Sequence, residues 1–256
     1  MINNIYYYDS DPGNFMGKPV ILFLHGFFMN HQMFYHQIEY FSESFRIIAP
    51  DFKCFGKSAP KVEQNRFNEW VDDIINLLNT LQIESYYVVG MSMGGYVAQR
   101  LCINDKQRVL KAVFISTQAS KDNPETIEQY LSLVNNWGDF SLRENIIFSL
   151  KESFFGDCSK ESEYWEDLWM GYDERMLSLA MKSMISRDDF ISQLKNILCP
   201  VLILHGDKDQ GIPVSSARKM HKELPNSKLT LIIDGKHAIN ITHHEIVNED
   251  IDLFFK

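Results

Sequence analysis

The stretch Tyr86-Tyr87-Val88-Val89-Gly90-Met91-Ser92-Met93-Gly94-Gly95 limits what this chain can fold into more than any other. Its first half is aromatic and β-branched, the composition of a buried strand. Its second half runs into Tyr96-Val97-Ala98-Gln99-Arg100-Leu101, a helix-forming segment. The pattern G-x-S-x-G at the junction predicts a strand that turns abruptly into a helix with Ser92 at the apex. Gly90 and Gly94 carry no Cβ, so strand and helix can pass close to one another. The serine hydroxyl then stands above the sheet, beside amides of a helix N-terminus, where negative charge is favoured.

The flanking sequence repeats the same rhythm. Ile5–Tyr8 reads as a short edge strand, followed by the turn-forming run Asp9 to Asn14. Val20–Leu24 is a continuous apolar run of the kind that is buried on both faces of a sheet, and Arg46–Asp51 reads as another buried strand. A helical stretch from Gln32 to Phe41 separates them, and the second strand opens into a loop from Phe52 to Pro60. Between Asn68 and Leu81 the residues Trp70, Val71, Ile74, Ile75, Leu77, Leu78 and Leu81 recur at helical spacing. Val109–Ile115 is a further strand. Alternation of this kind predicts a parallel sheet with helices on both faces, and ligands bind such sheets at the carboxyl ends of the strands. His25-Gly26, Asp51 and Ser92 all fall there.

The rhythm breaks between Gln118 and Gln193. That segment carries no buried strand, reads as several helices, and holds three of the four Trp. It predicts a helical cap, residues 118–193, inserted into one core made of residues 1–117 and 194–256. The sheet resumes with Val201–Leu204, followed by a helix over Ser215–Leu224, a last strand over Lys228–Ile233 and a closing helix over Glu245–Phe255.

Composition excludes several classes. Hydrophobic residues make up 45% and the net charge is −9, a globular chain without the basic cluster that nucleic acid requires. No apolar run approaches the roughly 20 residues that span a bilayer, and the N-terminus lacks a basic and then apolar leader. Cys54, Cys102, Cys158 and Cys199 are scattered without C-x-x-C spacing, which suits a reducing, cytoplasmic setting. The expected partner is a small-molecule substrate, not nucleic acid or a membrane.

A serine hydroxyl attacks only with a base in reach, usually histidine, itself oriented by a carboxylate. The loop after Leu204 offers Gly206-Asp207-Lys208-Asp209-Gln210-Gly211-Ile212-Pro213, and the loop after the last strand offers Gly235-Lys236-His237. Together with His25-Gly26-Phe27, Ala49-Pro50-Asp51 and Gly56-Lys57-Ser58, these pieces span nearly the whole chain. In that order the chain resembles the α/β-hydrolase-fold serine hydrolases. The resemblance implies a mostly parallel central sheet flanked by helices, a helical cap, and no cofactor and no metal. It also implies cleavage of a carboxylic ester, lactone or thioester through an acyl-enzyme. It places the nucleophile at Ser92, the base at His237 and the acid at Asp209 rather than Asp207. Asp234 lies too close to His237 to come from the loop that normally supplies the acid. The oxyanion amides fall at Phe27 and Met93, and the apolar neighbours Phe28, Met91, Tyr130 and Trp137 are candidates for the substrate pocket. The same scaffold also serves carbon–carbon bond hydrolases, perhydrolases and small-molecule receptors, which stay open as alternatives.

The resemblance makes His25 structural rather than catalytic, and His205 a packing or loop-supporting residue. His31 and His36 are expected to face solvent or the cap. Two positions depart from the family pattern. Cys54 stands where a glycine is common in the loop after Asp51. Lys236 stands directly before the histidine, where glycine is more frequent.

Overall fold

The computed structural model describes residues 1–13, 17–58, 66–156 and 159–256. Asn14, Pro60 and Cys158, which figure in the sequence reading, lie outside these residues.

Seven strands form one sheet: β1 (Tyr7–Asp9), β2 (Val20–Leu24), β3 (Arg46–Pro50), β4 (Tyr86–Met91), β5 (Val109–Ile115), β6 (Val201–Gly206) and β7 (Ser227–Ile232). Their order is β1-β3-β2-β4-β5-β6-β7, and among the described residues only the β1–β3 pairing of these strands is antiparallel. The sheet is therefore parallel everywhere except at one edge. The apolar runs of β2, β3 and β6 are buried because both faces are covered.

The flanking helices of the first half are α1 (Tyr35–Phe41), α2 (Phe67–Thr80) and α3 (Met93–Asn104). The helical spacing in α2 buries Trp70, Val71, Ile74, Leu77 and Leu78. Between β5 and β6 lie α4 (Pro124–Asn135), α5 (Phe140–Phe154), α6 (Ser159–Met170) and α7 (Glu174–Ile185). The chain closes with α8 (Val214–Glu223), a short α9 (Ile239–Thr242) and α10 (His244–Phe255).

The differences from the sequence reading are local. The stretch from Gln32 to Phe41 is two elements, because His31–Phe34 winds as a 3₁₀ turn before α1. Asn30 starts that turn, its side chain accepting the Gln32 N–H at 2.8 Å. The edge strand lies two residues later than Ile5, pairing Tyr7 with Pro50 and Asp9 with Ile48. The last strand ends at Ile232, and Ile233 is exposed. The turn α9, just after His237, has no signature in the sequence. Among the described residues no helix is long and apolar enough to cross a membrane.

Candidate active site

The predicted strand–turn–helix forms as β4, Ser92 and α3. Ser92 takes φ 51° and ψ −116°, a region that L-residues rarely adopt. It is held there from both sides: its N–H donates to the Ile115 carbonyl at 2.9 Å, and the Thr117 hydroxyl donates to its carbonyl at 2.7 Å. The glycines work through close approach. A Cβ on Gly94 would overlap the Leu24 carbonyl, and one on Gly90 would overlap the Gly94 carbonyl. Neither position tolerates a side chain without moving backbone.

Above this turn three sequence-distant side chains meet. The Ser92 hydroxyl donates to His237 Nε2 at 3.0 Å, and His237 Nδ1–H donates to Asp209 Oδ2 at 2.8 Å. The second Asp209 oxygen accepts the Gly211 and Ile212 N–H groups, both at 2.9 Å. This fixes the imidazole tautomer, with the proton on Nδ1 and the lone pair on Nε2 facing the hydroxyl. Burial by itself opposes ionisation of Asp209. The neighbouring His237 and the Ile212 N–H outweigh it and hold the carboxyl below its ordinary value. Asp207 is exposed, and Asp234 sits in a turn at φ 58°. Of the three acids weighed in the sequence, only Asp209 reaches the histidine.

The Phe27 and Met93 amides, the other predicted pair, donate no hydrogen bond within the protein among the described residues. Met93 opens α3, so its N–H is one of the orphan donors of a helix start. The loop that carries Phe27 is braced by His25, whose Nδ1–H donates to the Gly26 carbonyl at 2.8 Å while Nε2 accepts the Phe52 N–H at 2.9 Å. Phe28, at φ 66°, is gripped from the inserted helices: its carbonyl accepts from Trp169 Nε1 at 2.8 Å and from the Tyr172 hydroxyl at 3.0 Å.

A cavity of about 160 Å³ opens onto Ser92 and His237. Two of the four expected pocket residues, Phe28 and Tyr130, line it. The other two do not. Met91 is fully buried in the core beneath the turn, because its position at the end of β4 points it between sheet and loop. Trp137 is also fully buried. It stacks behind Phe28 at 5.4 Å and donates its indole N–H to the Tyr172 carbonyl at 3.2 Å. It shapes the wall without forming it. The walls missed in the sequence include Tyr96, Leu133, Leu150, Phe154, Met181, Met184 and Ile212. Met181 and Met184 recur at helical spacing on α7, which marks an apolar face but not what that face meets. A wider groove of about 650 Å³, bordered by Glu125, Glu128 and Asn136, lies along α4 and α5; it shares Leu133 and Leu150 with the cavity but is not lined by Ser92.

The remaining histidines are occupied elsewhere. His31, expected to face solvent or the cap, is buried, and its ring and its N–H both bind Asp51 Oδ1, at 2.8 and 2.7 Å. The carboxylate of Asp51 needs these donors, since it is wholly buried. His36 stacks on His244 with ring centres 3.8 Å apart. His205 donates from Nε2 to the Ile212 carbonyl at 2.8 Å and so supports the Asp209 loop. Among the described residues no group of three or more His, Cys, Asp or Glu is placed to hold a metal ion.

Known proteins place this architecture. A sequence profile described as alpha/beta hydrolase fold matches residues 19–244, and the chain belongs to that family. It is 27% identical to the bifunctional esterase/perhydrolase DCH of Acinetobacter calcoaceticus, over 99% of this chain and 96% of that one. Among solved structures, a bromoperoxidase from Bacillus anthracis is 30% identical, with a TM-score of 0.84, covering 98% of this chain and 95% of its own. A thermophilic esterase from Thermogutta terrifontis superposes with a TM-score of 0.88 at 24% identity, covering 98% and 92%. That last likeness speaks for the fold alone.

Proposed function

We propose that this protein is a serine hydrolase that cleaves a carboxylic ester, lactone or thioester of a small, largely apolar substrate. The observation that carries the reading is the unbroken chain from Ser92 Oγ to His237 Nε2 at 3.0 Å and from His237 Nδ1 to Asp209 Oδ2 at 2.8 Å. In this reading Ser92 attacks the acyl carbon as His237 takes its proton, and buried Asp209 stabilises the resulting imidazolium. The Phe27 and Met93 amides receive the negative charge on the carbonyl oxygen, which their lack of partners among the described residues leaves them available to do. His237 returns the proton to the departing alcohol or thiol. Water, deprotonated by the same imidazole, then adds to the acyl-enzyme and releases the acid and the free Ser92 hydroxyl.

A second reading has one observation in its favour, the esterase/perhydrolase named above. Hydrogen peroxide in place of water on the same acyl-enzyme yields a peracid and regenerates Ser92. Both readings share the acyl-enzyme, so one experiment tests their common core. A fluorophosphonate probe is expected to label the wild-type protein on Ser92, and p-nitrophenyl esters of short acids to be turned over. Ser92→Ala is expected to abolish labelling and to lower kcat by roughly 10⁴- to 10⁶-fold. Absence of labelling together with absence of ester turnover would overturn the proposal. Adding peroxide to the ester assay and measuring peracid separates the two readings.

A further inference from the structure

Most of the cavity wall at Ser92 is apolar, but besides the Ser92–His237 pair two phenols, Tyr96 and Tyr130, and Ser153 belong to it. Tyr130 comes from α4 and is half-buried. Its hydroxyl makes no hydrogen bond within the protein among the described residues. A tyrosine hydroxyl withdrawn from bulk water ordinarily finds a partner, so one that lines a cavity takes its partner from what fills the cavity. Burial pushes both phenols up from their ordinary range, so both keep their protons; the Tyr96 hydroxyl already meets the Gln118 side chain, which leaves Tyr130 as the phenol free to donate into the cavity.

Behind this wall lies a charge that is already spent. Arg187 is buried, with its guanidinium 4.1 Å over the Tyr96 ring. It pairs with buried Asp122 at 2.6 Å, and the other oxygen of Asp122 accepts from Gln118 at 2.8 Å. The guanidinium also donates to the Met184 carbonyl at 3.2 Å. No lysine or arginine is among the lining residues. The cavity thus offers hydrogen-bond donors without net positive charge. A carboxylate there would lose its hydration with no cation to offset the loss. An uncharged carbonyl or hydroxyl would be satisfied.

Size narrows the class further. A dry cavity of about 150 Å³ holds benzene, so the space here suits about six non-hydrogen atoms. The acyl group stays on the serine after the alcohol departs, so it is the part of the substrate that this half-open space beside Ser92 holds through the second step.

We propose that the cavity is an acyl subsite for a short chain of about four to six carbons bearing an uncharged hydrogen-bond acceptor, and that Tyr130 is the residue that selects it. The proposal rests on the hydrolase reading of Ser92. The test compares kcat/KM for ethyl pentanoate, ethyl 4-oxopentanoate and the monoethyl ester of pentanedioic acid. The oxo ester is expected to be favoured over the alkyl ester by about fivefold to tenfold, the advantage of one neutral hydrogen bond. The half-ester is expected to be the poorest of the three. In Tyr130→Phe the ratio of oxo to alkyl ester is expected to fall to about one. Equal rates in the wild type, a preference for the half-ester, or a ratio that survives Tyr130→Phe would each overturn the subsite. Fluorophosphonate labelling separates the two failures. Labelling of Ser92 without an oxo preference sinks the subsite and leaves the hydrolase. Without labelling, calorimetry of 4-oxopentanamide against pentanamide on Ser92→Ala decides the subsite alone: tighter oxo binding supports it, and equal binding overturns it.

Discussion

Two histidines, His25 and His237, flank the Ser92 turn, and their hydrogen bonds give them opposite duties. His237 presents a lone pair to a hydroxyl, whereas both nitrogens of His25 are consumed by backbone, Nδ1 donating to Gly26 and Nε2 accepting from Phe52. Protonating His25 would break the second bond inside a fully buried site, and that burial lowers its pKa to about 4. The sign of the consequence is fixed by linkage. The folded pKa lies below the unfolded value of 6.5, so His25 contributes stability that is present above that value and fades as pH falls towards 4. His205 is displaced in the same direction by burial. Urea unfolding midpoints are expected to drop between about pH 7 and about pH 5, with His25 supplying about 2 kcal/mol of the loss. His25→Asn is expected to flatten that pH dependence; an unchanged slope would refute the assignment. The structural role of His25 is legible from its neighbour Gly26 and the family pattern, while the buried partnership of His31 with Asp51 is not, because twenty residues of sequence separate them. Cys54 shows the converse. It takes φ 78°, the left-handed backbone for which glycine is the usual residue, so this position makes the backbone demand that a glycine would meet at least cost.

At the level of elements, the loop bearing His237 is joined to the end of α5. The last carbonyls of a helix lack intrahelical partners. Here the Ser153 carbonyl accepts the His237 N–H at 3.3 Å and the Phe154 carbonyl accepts the Ala238 N–H at 3.1 Å. Lys236 Nζ donates to the Glu152 carbonyl at 2.9 Å, placing a cation at the negative end of the helix. Gly156, at φ 67°, leaves room for the lysine stem, which a Cβ there would crowd. The Phe154 ring meets the His237 ring edge-on at 5.0 Å. The unusual lysine before the histidine is therefore a fastening between α5 and the proposed base. Lys236→Ala is expected to lower kcat by about tenfold with KM little changed, since the imidazole loses positioning rather than the substrate losing contacts. Lys236→Arg is expected to restore most of it. A change confined to KM would argue against a positioning role. The elements themselves are largely readable from periodicity: β2 to β6, α2 and α3 fall where apolar spacing puts them. What periodicity cannot give is which helix end meets which loop. Met91 and Trp137 were natural pocket candidates by type and proximity, yet pleat direction buries the first and stacking on Phe28 removes the second.

For the molecule as a whole, the question is whether α4–α7 form a separate unit or part of one core. The aromatic contacts favour one core. Trp137 stacks on Phe28, and Trp169 donates to the Phe28 carbonyl. Trp169 packs on Phe154 and Phe155, and Phe154 packs on His237. The contacts to Phe28 and His237 lead from the inserted helices back to loops at the carboxyl end of the sheet, and those of Trp169 with Phe154 and Phe155 tie the insertion together. Arg187, just past α7, adds its buried pair with Asp122, before α4, and its π contact with Tyr96 of α3. Outside the cavity at Ser92 these contacts run on without a break, so the inserted helices cannot open without exposing core, and the chain should unfold in one cooperative step. Tryptophan emission tests this directly, because Trp137, Trp165 and Trp169 lie in the insertion and are buried, while far-ultraviolet dichroism reports every helix. The two probes are expected to give coincident urea transitions. Asp122→Ala, which strands the buried Arg187 charge, is expected to lower stability by about 3–5 kcal/mol and to shift both probes together. An emission change that precedes the loss of dichroism, in either protein, would show that the insertion melts by itself and that its walls around Ser92 are a movable cover rather than part of the core.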